Sequence, residues 1–212
     1  MDSELITLIK EMATDDVIKP GYNSDNSVKA KAYRKARNLT NPAYIQQLFE
    51  YVENDKNSLN RKNAYYILGH LLKTTADSFM TQKLVNSLIA ERKKEVLEVI
   101  LRGLSELTLF EPIIVQPILD LVESSDWRIR QSAIMALSKT NQEAVKNKLR
   151  NIIRDFQTRK DKLDVVYATA VIGQIGDTSD ATMLQELLSS KVKDIRDSAQ
   201  FAIQSIQDKK AT

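Results

Sequence analysis

The sequence of 212 residues has no cysteine, one histidine, five glycines and four prolines. The absence of cysteine excludes disulfides, thiol nucleophiles and thiolate metal sites. A single histidine excludes a metal site built from two histidines of one chain. Few glycines and prolines mean few obligatory tight turns, and an aromatic content of 6% disfavours a β-sandwich or barrel. The abundant residues are mostly good helix formers, so the sequence predicts an all-α fold.

Long apolar runs are missing as well. No window approaches the ~20 consecutive apolar residues of a membrane span. The N-terminal residues Met1-Asp-Ser-Glu-Leu lack the basic start and apolar stretch of a signal peptide. The net charge of +3 is small for a chain with 28% charged residues. We therefore expect a cytoplasmic protein without a membrane partner.

One helical pattern recurs along the chain. From Ile129 to Leu137, apolar residues follow the i, i+4, i+7, i+8 spacing of one helix face. The segment from Ile195 to Ile203 has the same spacing, and in both segments an arginine follows the first apolar residue. In each copy of this pattern we take the residue equivalent to Ala133 as a marker. Successive markers lie 31 to 36 residues apart. The marker residues are Ala32, Ala64, Ile100, Ala133, Ala168 and Ala199. So regular a period predicts a repeat protein.

A second amphipathic stretch lies between each pair of markers. These stretches are Pro42–Glu53, Ser78–Ile89, Pro112–Glu123, Glu143–Phe156 and Ala181–Ser189. Each repeat is thus predicted to be a hairpin of helix A and helix B that buries its apolar surface only by stacking on its neighbours. We expect one domain over residues 1–212: an N-terminal cap helix and a polar turn from Asp15 to Ser24, repeats over 25–207, and a frayed tail over 208–212.

The B-helix pattern carries a family resemblance. From Asp126 to Leu137 the order Asp-x-x-x-Arg-x-x-Ala-x-x-Ala-Leu is similar to the second helix of HEAT and HEAT-like repeats. Pro117 resembles the kink-forming proline of that family's A helices. The resemblance covers roughly residues 25–207 and implies a right-handed α-α superhelix of about five to six hairpins, with B helices on the concave side. Leu97 and Val165 depart from the arginine position.

Catalytic constellations are absent from the sequence. The glycines stand singly, so no phosphate-binding loop is predicted, and no carboxylate pair has a spacing that indicates acid–base chemistry. We predict no catalytic residue, metal site, cofactor or small-molecule substrate. One enzymatic alternative is the group of HEAT-like DNA alkylation-repair glycosylases, which use aromatic residues and a carboxylate. Here Trp127 is followed one turn later by Gln131, and we interpret Trp127 as a packing residue between repeats.

The charges are unequal between the two predicted layers. The A helices sum to a net negative charge and the B helices to a net positive charge, strongest near the first B helix. The position two residues after each marker lies off the apolar face and is expected to point into the groove. The predicted binding residues are Arg34, Arg37, Lys62, Tyr66, Arg102, Met135 and Phe201. Four further residues are assigned to structural contacts between repeats, which we call the ladder: Asp126, Arg61, Arg130 and Arg196. In the family that this pattern resembles, such arginines bond a preceding aspartate or the neighbouring repeat.

These features favour a non-enzymatic binding module that holds an acidic protein partner on a basic concave face. Sequence-independent nucleic-acid binding by the same face is the first alternative, and it predicts a steep loss of affinity with salt. A toxin antidote or a chaperone-like helper is a further alternative that the residues do not distinguish from an adaptor.

Overall fold

The computed structural model describes residues 1–15 and 24–211, and this part of the chain forms α-helices, one short 3₁₀ turn and no β-strand. The all-α prediction is confirmed. The predicted polar turn from Asp15 to Ser24 falls mostly on residues 16–23, outside the described residues. The described helices divide between two compact units, Met1–Gly103 and Leu104–Thr212.

Unit 1 contains the N-terminal helix and the first hairpins. Its helices are α1 (Ser3–Met12), α2 (Val28–Arg37), α3 (Ala43–Asn54), α4 (Ser58–Thr75), α5 (Ser78–Ala90) and α6 (Lys94–Leu104). The apolar faces predicted from the sequence are buried, as Ile67 and Leu68 of α4 illustrate. Asn57 and Asp77 cap α4 and α5 by accepting backbone N–H bonds. These side chains satisfy donors that a helix start leaves unpaired.

Unit 2 continues the alternation of A and B helices. Its helices are α7 (Gln116–Leu121), α8 (Trp127–Ala136), α9 (Glu143–Arg154), α10 (Lys162–Ile175), α11 (Thr178–Leu187) and α12 (Lys193–Ala211). Caps by Asp126, Asp161 and Asp177 begin α8, α10 and α11. Helix α12 extends to Ala211, within the segment 208–212 for which the sequence predicted fraying. Buried Ile206 and a hydrogen bond from the Lys209 ammonium to the Gln174 carbonyl hold that end against α10.

Glycines permit close helix approaches in both units. A Cβ on Gly69 of α4 would lie 3.1 Å from the Cα of Gly103 on α6. A Cβ on Gly173 of α10 would lie 2.8 Å from the Cα of Ala202 on α12. The B helices therefore cross with their backbones in near contact.

The A stretch predicted at Pro112–Glu123 is wrong in its bounds. Helix α7 begins at Gln116, and Pro117 lies in its first turn instead of kinking a longer helix. Proline lacks the N–H that an interior helical position needs, so it fits the first turn. The preceding segment is held by other bonds: the Leu109 carbonyl accepts from Thr140 Oγ1 at 2.9 Å and from Gln142 Nε2 at 3.0 Å.

Candidate binding face

The predicted groove residues of unit 1 lie on successive B helices. Arg34 and Arg37 are exposed and lie three residues apart on α2, so they share one side of that helix. On α4, half-buried Lys62 and Tyr66 lie four residues apart, and Arg102 is exposed on α6. We call these five residues, together with Tyr33 and His70, the cationic–aromatic face.

An aromatic cluster connects α2 to α4. The Tyr33 and Tyr66 rings have centroids 5.0 Å apart and planes at 76°, and the His70 ring lies 4.6 Å from Tyr66 with planes at 72°. Both contacts are edge-to-face, the arrangement that the ring quadrupoles favour. The sequence did not predict Tyr33 as a binding residue, because the prediction considered only the position two residues after each marker. The separation of 33 residues between Tyr33 and Tyr66, close to one repeat, is the signal that could have found it.

The buried side-chain amide of Asn63 holds Tyr33 of this cluster in place. The Tyr33 hydroxyl donates to Asn63 Oδ1 at 2.9 Å, and Asn63 Nδ2 donates to the carbonyl of Ile9 at 3.2 Å. Ile9 lies in the last turn of α1, where carbonyls lack helical partners. Burial raises the pKa of the Tyr33 hydroxyl, Tyr66 raises it further, and Arg102 opposes both. The orientation of Tyr33 thus depends on an amide that also caps α1.

The cations of this region differ in their pairing. Lys29, Lys31, Arg37 and Lys62 have no carboxylate partner among residues 1–15 and 24–211. Arg34 donates through Nη2 to the Asp25 carbonyl, which satisfies a donor without neutralising the charge. By contrast, Lys35 pairs with Glu4 at 2.5 Å. Uncompensated positive charge therefore concentrates on α2 and the start of α4.

The corresponding positions in unit 2 are apolar. Met135 on α8 and Ala170 on α10 are half-buried, and Phe201 on α12 is 77% exposed. Helices α10 and α12 are held in register by hydrogen bonds from Ser198 Oγ to the Val166 carbonyl and from Ser205 Oγ to the Gly173 carbonyl, both 3.0 Å. In both units, the residue two positions after each marker thus lies outside the buried face of its helix. Charged residues occupy this position only in unit 1.

Two of the three ladder arginines, Arg61 and Arg130, join neighbouring hairpins. Arg61 makes two 3.0 Å bonds to the Glu91 carboxylate, and Arg130 bonds Asp164 and Asp161 at 2.9 Å each. Asp126 caps α8, and it is Asp161 and Asp164 of the following hairpin that pair with Arg130. Arg196, in the last hairpin, donates to the Ser190 carbonyl at 2.7 Å.

Trp127 differs from its predicted role. Its side chain is 54% exposed at the start of α8, so it does not pack between repeats. Within the described residues, no group of three or more His, Cys, Asp or Glu side chains could hold a metal ion. In the same part of the chain, no helix combines the length and the apolar character that crossing a bilayer requires.

Comparisons with known proteins agree with this architecture. Residues 81–169 match the family model described as HEAT repeats. A solved engineered protein superposes with a TM-score of 0.54 at 18% identity, covering 98% of each chain. A designed armadillo repeat protein, solved in complex with the peptide (KR)4, gives a TM-score of 0.52 at 15% identity over 96% of this chain and 100% of that chain. A search of curated proteins gave no significant match.

The two structural matches concern the fold alone, since both identities are low. The family model and the repeated pattern of B helices concern the sequence itself. Residues 81–169 are thus similar to HEAT repeats, and the alternation of A and B helices in both units is the fold of a HEAT-like repeat protein.

Proposed function

We propose that this protein is a binding module whose cationic–aromatic face in unit 1 holds an acidic segment of another protein. The observation that carries the proposal is the set of cations without carboxylate partners on α2 and α4, beside the Tyr33–Tyr66–His70 cluster. Unneutralised charge attracts a partner of opposite sign and speeds its encounter. Tyrosine and arginine are also the residues that most often anchor protein interfaces.

The pairing pattern supports unit 1 as the charged part of the site. In unit 2, Arg130, Arg150 and Arg159 are all bonded to carboxylates of the same unit. Such arginines stabilise the hairpin stack and have little charge left for a partner. Met135 and Phe201 of unit 2 stay predicted binding residues, and the proposal for unit 1 does not depend on them.

The designed armadillo repeat protein provides a limited analogy. That protein was solved with the peptide (KR)4, which consists of basic residues. The present face has the opposite requirement, because its own uncompensated side chains are basic. The proposal therefore takes from the comparison only that a helical-repeat surface can hold a peptide, and takes the acidic character of the partner from the charges of this chain.

Nucleic acid is the second candidate, favoured by the same cations and by the aromatic cluster. The geometry of the cluster weighs against it. Bases stack face to face on aromatic side chains, whereas Tyr66 makes edge-to-face contacts with Tyr33 on one helix and His70 on its own. We therefore rank an acidic protein segment first.

The proposal is tested with charge reversal and a matched control. The face variant carries Arg34→Glu, Arg37→Glu and Lys62→Glu. The control variant carries Lys10→Glu, Lys56→Glu and Lys191→Glu, three cations that have no carboxylate partner in the described ranges, so both variants change the net charge equally. Fluorescence anisotropy with labelled poly-L-glutamate should show binding by the natural protein and the control variant, at least tenfold weaker for the face variant.

Affinity purification from the source cells then identifies the natural partner. Partners with acidic segments should be lost with the face variant and kept with the control; equal recovery by both variants would refute the proposal. A mobility shift with mixed DNA and RNA at low salt separates the second candidate. A shift lost only in the face variant would assign the face to nucleic acid, because phosphate contacts make binding salt-dependent.

A further inference from the structure

Unit 2 has a surface pocket beside the only tryptophan of the chain. Trp127 begins α8 directly after the capping residue Asp126 and is 54% exposed. It borders a pocket of about 650 Å³. The rest of the wall comes from Ser124, Ser125, Arg130, Arg159 and Lys160 together with three carboxylates. A half-exposed tryptophan beside a cavity is unlike the core aromatics, and tryptophan is among the strongest interface anchors.

The carboxylates of this pocket are already neutralised. Asp164 accepts from Arg130 Nε at 2.9 Å and from Arg159 Nε at 3.0 Å. Asp161 accepts from Arg130 at 2.9 Å. Glu123 pairs with Lys148 at 3.0 Å and with Arg159 at 3.3 Å. Asp164 Oδ1 lacks a hydrogen-bond partner, but it exposes less than 1 Å² and cannot reach a ligand.

The groups that remain available are donors and an aromatic ring. Lys160 is exposed and has no ion pair or hydrogen bond within residues 1–15 and 24–211. The indole N–H of Trp127 and the hydroxyl of Ser125 likewise have no partner in that part of the chain. Free donors next to a ring match a ligand that carries an anionic oxygen group beside an apolar group.

A comparable pocket in unit 1 serves as an internal reference. It has a volume of about 640 Å³ and surrounds Arg61, the repeat equivalent of Arg130. Its aromatic residue, Tyr65, is only 7% exposed. A pocket of this size therefore accompanies an arginine that joins two hairpins in both units, Arg61 and Arg130. The exposed indole of Trp127 distinguishes the pocket in unit 2.

We infer that the pocket in unit 2 binds a carboxylate that lies next to an aromatic or aliphatic side chain of a peptide, such as a C-terminal residue with an apolar side chain. Lys160 pairs with the carboxylate, and Trp127 covers the apolar side chain. Arg130 and Arg159 keep the floor neutral, so the carboxylate meets no net repulsion from Asp164 or Asp161. This site is separate from the face proposed above and does not depend on it.

The single tryptophan makes the test direct. The intact protein is titrated with N-acetylphenylalanine and, separately, with its amide, which differs only in lacking the negative charge. The carboxylate should shift the Trp127 emission to shorter wavelength as the indole is covered. The amide should bind about two- to fivefold more weakly, the contribution expected of one exposed ion pair. An equal response to both probes, or no change in emission, would overturn the inference.

Variants and a plain anion complete the experiment. Lys160→Gln should weaken binding of the carboxylate about two- to fivefold, to the level of the amide, whereas Lys56→Gln in the unit 1 pocket should change nothing. Inorganic phosphate should leave the emission unaltered, because it has no apolar group to cover the indole; the same shift with phosphate would indicate non-specific anion binding and contradict the inference. The triple face variant of unit 1 should respond like the natural protein.

Discussion

Ala76 illustrates a local conformation that its own residue type disfavours. It ends α4 with φ 51° and ψ 31°, in the left-handed region. This conformation costs an L-residue roughly 1–2 kcal/mol, and glycine adopts it freely. We expect Ala76→Gly to raise the free energy of unfolding by about 1 kcal/mol, after part of the gain is offset by the freedom of unfolded glycine. Urea denaturation measures the difference.

Ala144 provides the control for that substitution. It is exposed in the first turn of α9, in right-handed helical conformation. There glycine relieves no strain and lowers helix propensity, so Ala144→Gly should cost up to about 1 kcal/mol. If both substitutions destabilise the protein, the left-handed conformation of Ala76 is not costly.

The buried amide of Asn63 is the second residue whose role can be measured. Tyr33→Phe leaves Asn63 Oδ1 without its donor, and Asn63→Leu leaves the Ile9 carbonyl without its own. Each change should cost about 1–3 kcal/mol, since buried polar groups lose a hydrogen bond. In a double-mutant cycle the two changes should couple by about 0.5–1.5 kcal/mol. Strict additivity would mean that the Tyr33–Asn63 bond contributes nothing.

These residues also mark what the sequence could not supply. Its helical spacing placed Lys62 and Tyr66 on one stripe of α4, because the 3.6-residue period needs no tertiary information. The contact of Tyr33 with Tyr66 depends on how far α2 is rotated against α4, and that rotation follows from side-chain packing. For the same reason the sequence did not predict the exposure of Trp127, whose position in the repeat resembles a packing site.

Helix crossings at glycine give a prediction at the scale of elements. Gly173→Ala would place a Cβ 2.8 Å from the Cα and 2.9 Å from the Cβ of Ala202. Because the obstruction is the backbone of α12, the two helices must separate, and overpacking of this kind costs about 1–3 kcal/mol. Thermal or urea unfolding should show a clear loss of stability.

Gly103→Ala in unit 1 is a milder substitution of the same kind and serves as the comparison. Its Cβ would meet only the Cα of Gly69, at 3.3 Å, a tight contact that a few tenths of an ångström relieve. Alanine also improves helix propensity by roughly 1 kcal/mol over glycine. We therefore expect Gly103→Ala to be nearly neutral. A larger loss than for Gly173→Ala would show that the α4–α6 crossing is the less adaptable one.

The ion pair between Arg61 of α4 and Glu91, in the turn between α5 and α6, should make the free energy of unfolding depend on pH. Burial alone would raise the pKa of Glu91, but hydrogen bonds from Arg61 and from the backbone N–H of Lys93 and Arg92 outweigh it and lower the pKa. A carboxylate with a lowered pKa stabilises the fold above its unfolded pKa of roughly 4.3, and this contribution is lost as the pH falls through the folded value.

The measurement compares the natural protein with Glu91→Gln. The difference in free energy of unfolding should be largest above about pH 5 and should shrink towards pH 3, where the natural carboxyl is also neutral. Glu186→Gln removes an exposed carboxylate of α11 that has no ion pair in the described chain and should show no such trend. A difference that is constant from pH 7 to pH 3 would contradict the ionic role of Glu91.

The sequence predicted most helices because each needs only its own periodicity and cap. It failed at α7, where the apolar stretch Pro112–Glu123 reads as a helix. Proline cannot supply the N–H of an interior position, and the Leu109 carbonyl finds partners in Thr140 and Gln142. Competition between a local helix and these distant hydrogen bonds is a tertiary effect that the pattern of one segment does not contain.

At the scale of the whole molecule, stability should be distributed locally. In a repeat protein each hairpin contacts only its neighbours, so the stability is approximately a sum of repeat and interface terms. Asp164 is 1% exposed and holds Arg130 and Arg159. Asp164→Ala leaves two partly buried guanidinium groups without their shared carboxylate, and removal of one partner from a buried pair costs about 3–5 kcal/mol.

Hydrogen exchange followed by mass spectrometry can locate that loss. Asp164→Ala should speed amide exchange in α8, α9 and α10 and leave α3, α4 and α5 of unit 1 close to their natural rates, because the interface term it removes belongs to one hairpin pair. Glu91→Ala should produce the converse pattern, with faster exchange around α4 and α5. If either substitution accelerates exchange evenly along the whole chain, the two units unfold as a single cooperative body, and the local account of stability is wrong.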